Sequence, residues 1–277
     1  MNCLFVIPVF NRVDKIKNII KNTFLMKNFS FLFIDDHSTD GTYDYLVELS
    51  IKFEKVKVIR TSREDSFWYG AIYDGIKHIC EEDLISDYSF FGFMNDDVEV
   101  VNAVEKMNFS LMNSNEIYFA PAYWKRKGIY TGGEKNGEFI TSKNKLDILN
   151  VDYDSVGGFF TIFPIDCAKK IYNQKLPSII KHYHADMLIT LNLSRSGFMI
   201  KSLNNIEVII DDSDKNRLAS MKFTKRLIDV RSPYEWRSSL YWYLISKNSF
   251  RHFILKSSLH FSKAIFFGLY YKCGKKI

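Results

Sequence analysis

Cysteine is scarce in this chain: Cys3, Cys80, Cys167 and Cys273 lie far apart and form no C-x-x-C pair. That spacing excludes a disulfide framework and a thiolate metal site, and reads as reduced thiols in a cytosolic protein. Long uncharged apolar runs are missing too. Nowhere do about 18 apolar residues follow one another, so a membrane-spanning helix is not expected. The first apolar stretch has no charged segment before it and is broken by Pro8 and Asn11, which makes it a strand and not a signal peptide. Internal repeats and low-complexity tracts are absent as well.

What is present is an ordinary globular composition, with 47% hydrophobic and 25% charged residues over 277 positions. That length suits one large α/β domain, or a domain with an appendage. The net charge of +6 is unevenly spread: residues 215–277 hold 14 Lys and Arg against Asp229 and Glu235, while the preceding 214 residues carry 24 basic and 30 acidic groups. A basic tail on an acidic body is expected to meet something anionic.

Short apolar runs alternate with helical periodicity through the first hundred residues. Cys3 to Val9, Phe31 to Ile34, Val56 to Ile59 and Tyr88 to Met94 read as strands. Helical segments fall between them, around Ile16–Ile20, at Thr42 to Leu49 and at Phe67 to Ile79. This order predicts a mostly parallel sheet with helices on both faces. Further on, Glu116 to Pro121 and Ile206 to Ile210 read as strands, and Lys125 to Asn144 as a loop or hairpin. Asp186 to Ser196 reads as a helix closed by Gly197.

Three strands end in polar clusters: Pro8-Val9-Phe10-Asn11-Arg12, Asp35-Asp36-His37-Ser38 and Asn95-Asp96-Asp97. In a parallel sheet such ends share one edge, where ligands collect. A strand-end Asp also serves as a turn or cap residue, so each pair alone has a structural explanation. Asp96 and Asp97 have no adjacent basic residue, and paired acids at the end of a buried strand call for a cation or solvent. A hard divalent ion needs only one or two carboxylates when phosphates supply its other ligands.

Taken together, these three segments resemble family 2 glycosyltransferases over roughly residues 2–102. The resemblance implies an α/β GT-A fold with a mostly parallel central sheet and flanking helices. It further implies a nucleotide-sugar-binding half at 1–102, an acceptor-side half at 103–214, and a basic, mainly helical extension at 215–277. By position, Pro8, Phe10, Asn11, Arg12, Asn95 and Asp96 would bind the donor. Asp36, with Asp35 as the alternative, would hydrogen-bond its base, and Asp97 would hold Mn²⁺ or Mg²⁺. Asn95 stands where the family's metal element often begins with Asp. Phe67-Trp68-Tyr69-Gly70 resembles the family's aromatic-glycine segment beside the donor, with Trp68 and Gly70 as contacts; a core-facing aromatic helix is the competing reading.

On the acceptor side, His182-Tyr183-His184-Ala185-Asp186 resembles the family's acidic motif before a helix, with Asp186 as general base. The alternative is that Asp186 only caps the helix. Arg195 matches a recurrent basic position, Gly158 an acceptor loop or plain turn, and His184 a diphosphate contact or packing residue. The implied activity is inverting transfer of a sugar from a UDP- or dTDP-sugar to a hydroxyl of a cell-surface glycan or lipid-linked oligosaccharide. A nucleotidyltransferase would be expected to carry a Gly- and Lys/Arg-rich loop after the first strand, and Phe10 to Asp14 contains no glycine. A non-catalytic sugar- or membrane-binding protein is the other alternative. The tail's mixture of Lys, Arg, Trp, Tyr and Phe fits helices at an anionic membrane surface, or aromatics packed on the domain, and not a nucleic-acid module. The expected location is cytoplasmic, peripheral at the inner face of the cell membrane.

Overall fold

The computed structural model describes residues 2–23, 28–101, 107–210, 221–247 and 249–274. The boundaries expected at 102 and 214 lie outside the described residues. A seven-stranded sheet occupies the centre. In chain order its strands are β1 (Cys3–Val9), β2 (Phe29–Asp35), β3 (Val56–Arg60), β4 (Phe90–Met94), β6 (Glu116–Phe119), β11 (Phe160–Pro164) and β12 (Met199–Ser202). The spatial order is β12-β6-β11-β4-β1-β2-β3, and only β11 runs antiparallel to its neighbours. β1 lies near the middle and is buried along nearly its whole length, as its unbroken Cys-Leu-Phe-Val-Ile run requires.

Alternation along β1 divides the core in two. Leu4 and Val6 face the layer of α3 (Phe67–Glu81), α5 (Cys167–Asn173) and α6 (Ala185–Arg195). Cys3, Phe5 and Ile7 face α1 (Val13–Thr23), α2 (Thr42–Lys52) and a second sheet. That second sheet runs β10 (Ser155–Val156), β8 (Ile129–Lys135), β7 (Ala122–Trp124), β13 (Glu207–Ile210) and β5 (Val98–Val101), with β9 (Glu138–Ser142) paired to β8. The Lys125 to Asn144 stretch is thus the β8–β9 hairpin, closed by Asn136 and Gly137 at positive φ. A one-turn helix, α4 (Leu146–Leu149), follows the hairpin.

Helix α6 ends as its sequence demands. Gly197 takes φ +99°, Phe198 N–H donates to Leu193 O, and Gly197 N–H donates to Ser194 O, the paired closure that satisfies terminal carbonyls. The extension continues with α7 (Phe223–Ile228), α8 (Trp236–Ser246) and α9 (Phe250–Gly274). Trp242 of α8 is fully buried, its Nε1 donating to Glu134 Oε1 of β8 at 3.1 Å while His184 stacks on its indole at 5.6 Å. On α8, then, Trp242 packs on the domain, while Trp236 at its start is 41% exposed. No described helix is long and apolar enough to cross a membrane.

Candidate active site

Because β1, β2 and β4 are parallel, their carboxyl ends bring the three polar clusters to one edge of the sheet. The loops after β1 and β2 are laced together. Asp36 N–H donates to Val9 O, Asn11 N–H to Ser38 Oγ, Thr39 N–H to Asn11 Oδ1, and Arg12 N–H to Thr42 Oγ1. Asn11 and His37 adopt left-handed φ values of 53° and 59° in these turns. Such backbone persists only where its surroundings fix it, and it gathers at binding loops.

A cavity of about 340 Å³ opens at this edge, walled by Pro8, Phe10, Asn11 and Arg12, by Asp36, by Phe67 and Trp68, and by Asp96. Asp36 does two things at once. It lines the cavity, and it accepts hydrogen bonds from Thr61 Oγ1, Ser66 N–H and Phe67 N–H at 3.0–3.1 Å. Those bonds hold Phe67 at φ 57°, a costly value for an aromatic residue, at the start of α3. Asp35 turns elsewhere: wholly buried, it pairs with Arg60 Nε at 3.4 Å and accepts from Ser38 N–H. Between the two acids, only Asp36 belongs to the cavity wall.

The carboxylate of the third cluster that lines the cavity is Asp96, at 3.3 Å from Arg12 Nε. The expectation of unneutralised acids is therefore corrected: Arg12, distant in sequence, is brought to Asp96 by the parallel pairing of β1 and β4. Asp97 lies half-buried in the same turn, one residue before β5. Among the described residues no three His, Cys, Asp or Glu side chains gather as a metal cage. This donor set fits a Mg²⁺- or Mn²⁺-like ion that draws further ligands from phosphates, and it does not fit a self-contained structural metal site.

A chain of contacts leads from the cavity to Asp186. Trp68 Nε1 donates to Asn95 Oδ1 at 2.9 Å. The same indole lies against Gly158, where an added Cβ would stand 2.7 Å from Trp68 Cζ2. Gly158 N–H donates to Asp186 Oδ2 at 2.7 Å, and Met187 N–H donates to Asp186 Oδ1 at 2.8 Å. Asp186 is not the helix cap; α6 begins one residue earlier and His184 holds the cap position at φ 67°. Burial pushes the Asp186 carboxyl above the ordinary carboxylate range, although the Gly158 and Met187 amides pull it down. A carboxylate so placed is a stronger base than one in water.

Three expected contacts lie elsewhere. Arg195 sits at the far end of α6 and donates from Nη2 to Ile245 O at 2.7 Å, tying the extension down. His184 turns under α8 against Trp242, where burial lowers its pKa to about 4. Gly70 packs on Ser66 within α3. Conversely, His182 and Tyr183 of the His-Tyr-His segment do line the cavity. So does Arg231, whose guanidinium lies 4.5 Å from the Phe10 ring centroid and 5.2 Å from that of Phe67. No local pattern marks Arg231; it reaches the cavity only because the extension folds back over the sheet edge.

The family model for glycosyl transferase family 2 matches residues 4–162, more than half of the chain. The protein belongs to this glycosyltransferase family, and its fold is GT-A-like. Among solved structures it is similar to the mannosyltransferase PcManGT from Pyrobaculum calidifontis, determined with GDP-Man and Mn²⁺. That likeness has TM-score 0.54 and 10% identity over 92% of this chain and 73% of the other. A weaker likeness joins it to A197 from STIV, at TM-score 0.46 and 15% identity over 75% and 84% of the respective chains. No curated protein matches the chain.

Proposed function

We propose that the protein is an inverting, divalent-metal-dependent hexosyltransferase. It would move a sugar from a nucleoside diphosphate, UDP or dTDP in the first instance, to a hydroxyl of a cell-surface glycan or lipid-linked oligosaccharide. One observation carries this reading: Asp36, Asp96 and Trp68, separated by long stretches of sequence, line one cavity at the carboxyl edge of the sheet, and Trp68 lies against Gly158, whose N–H donates to Asp186 just behind it. The nucleotide-sugar and Mn²⁺ complex of the mannosyltransferase neighbour supports a donor and an ion of these classes.

In this reading Asp36 and the Pro8–Arg12 loop hold the nucleoside. Phe67 and Trp68 give the cavity its apolar wall and exclude water from the donor. Asp97, with Asp96 beside it, would hold the ion, whose chemistry is to offset charge growing on the departing diphosphate. Arg231 and Arg12 place two guanidiniums at the cavity, suited to phosphate oxygens. Asp186 removes the proton of the acceptor hydroxyl as that oxygen attacks the sugar carbon opposite its phosphate. An enzyme working on surface glycans from cytosolic donors is expected at the inner face of the cell membrane.

The test is a panel of nucleotide sugars, GDP-mannose included, screened for nucleoside diphosphate release with and without Mn²⁺ or Mg²⁺. Release that stops on chelation and returns with Mn²⁺ is expected. Asp97→Ala should abolish it, and Arg231→Ala should raise the donor KM by roughly 10- to 100-fold, the scale of one charge-assisted hydrogen bond. Binding of nucleotide sugars without turnover in any arm would favour a non-catalytic sugar-binding protein instead.

A further inference from the structure

Helix α9 is built inside out. Its inward side is polar: His252 and His260 are buried, His260 bonding to Tyr243 Oη at 3.2 Å and to Tyr234 O at 3.0 Å. Lys256 Nζ donates to Glu138 Oε2 on the β8–β9 hairpin at 2.8 Å. Its outward side is apolar. Phe250, Ile254, Phe261 and Ile265 are 72%, 49%, 37% and 49% exposed, and Leu255 and Leu259 are exposed further round the helix. Positions separated by four, seven and four residues fall within about 60° of arc on an α-helix, so the first four make one stripe. Arg251 is exposed just beside this stripe, while Lys263 lies on the polar side with Lys256. An ordinary surface helix presents the reverse pattern, and a contiguous apolar stripe in water marks an interaction surface.

We propose that this face of α9 docks on an anionic lipid bilayer and lies in its interface without crossing it. Three observations favour lipid over another occupant. The helix is not apolar enough to cross a membrane, yet at about 37 Å it is long enough to lie along one. Residues 215–277 carry 14 basic against two acidic side chains, complementary to acidic headgroups. The same excess charge opposes pairing of two copies through this region. The polar inward contacts to Glu138, Tyr234 and Tyr243 then fix the helix on the domain, so that the stripe points away from it.

The full-length chain would be centrifuged with phosphatidylcholine vesicles, with and without about 30% phosphatidylglycerol, an anionic content high enough for a strong surface potential. Sedimentation with the anionic vesicles alone is expected, weakened by high salt as screening removes the charge attraction. Ile254→Gln, Phe261→Gln and Ile265→Gln combined should lower the partition coefficient by roughly tenfold or more, through lost apolar burial. Ile51→Gln, a change to an exposed apolar residue on α2, should leave it unchanged. All four positions are exposed, and circular dichroism checks that the variants fold. The proposal is overturned if wild type ignores anionic vesicles, if the triple variant binds undiminished, or if the chain is a dimer that ignores vesicles and that the triple variant dissociates. The assay contains no donor or acceptor, so its failure leaves the transferase reading standing, and failure of transfer leaves this one.

Discussion

At the scale of single residues, the arrangement is one of carboxylates sorted by what holds them. Asp35 is committed to Arg60, Asp36 to the turn before α3, Asp96 to Arg12, and Asp186 to two backbone amides. Asp186 combines burial with a pKa raised by that burial, which suits proton abstraction. Asp186→Asn keeps an oxygen that can accept from Gly158 N–H but removes the base. Its kcat should fall by about 10² to 10⁴-fold with donor binding retained, measured as transfer rate against nucleoside diphosphate affinity. The ionised carboxylate is the working form. Wild-type kcat should therefore climb as pH rises through the raised pKa, and the Asn variant should lose that acid limb.

At the scale of elements, the β10–β11 turn and the start of α3 act as one unit. The turn can come close to Trp68 only because position 158 lacks a side chain. In Gly158→Ala the new methyl would meet the indole at 2.7 Å and the Asp186 Cβ at 3.2 Å, and neither neighbour is a loose side-chain end. A destabilisation of about 1–3 kcal/mol is expected from overpacking. Activity should fall further than the fraction folded accounts for, because both Trp68 and Asp186 move. Thermal melts alongside transfer rates check this; a variant as active as wild type would detach the turn from the chemistry.

At the scale of the whole molecule, the extension is held against the catalytic sheets by groups that titrate. Glu134 accepts from Trp242, while its Oε2 has no partner among the described residues, and burial raises its pKa to about 7. The unfolded chain releases this proton at lower pH than the folded one. The stability tied to neutral Glu134 is therefore complete below the unfolded value near 4.5 and lost as pH rises through about 7. His184, lowered to about 4 on the other side of Trp242, works in the opposite sense: its contribution holds above the unfolded value of 6.5 and is lost as pH falls towards 4. Glu134→Gln should leave stability at pH 5 nearly unchanged and raise it at pH 8 by ~2 kcal/mol, discounted for partial exposure of the side chain. Melting temperatures at the two pH values read this directly, and equal wild-type and variant values at pH 8 would refute it.

The sequence by itself determined the strand–helix order, the carboxyl-edge loops, the closure of α6 at Gly197 and the class of fold. Those features follow from local rules of side-chain periodicity, backbone chirality and the right-handed connection of parallel strands. What only the tertiary structure decided is which way each polar group points and what long-range neighbour it meets. Arg195 and His184 share a helix and its cap with Asp186, yet turn towards the extension; Arg231 and Arg12 reach the cavity from other segments. The aromatic tail likewise divided into an α8 packed inward at Trp242 and an α9 whose apolar stripe faces out. Such outcomes depend on the competition among all surfaces for burial, which is settled by the folded whole and leaves no local mark in the chain.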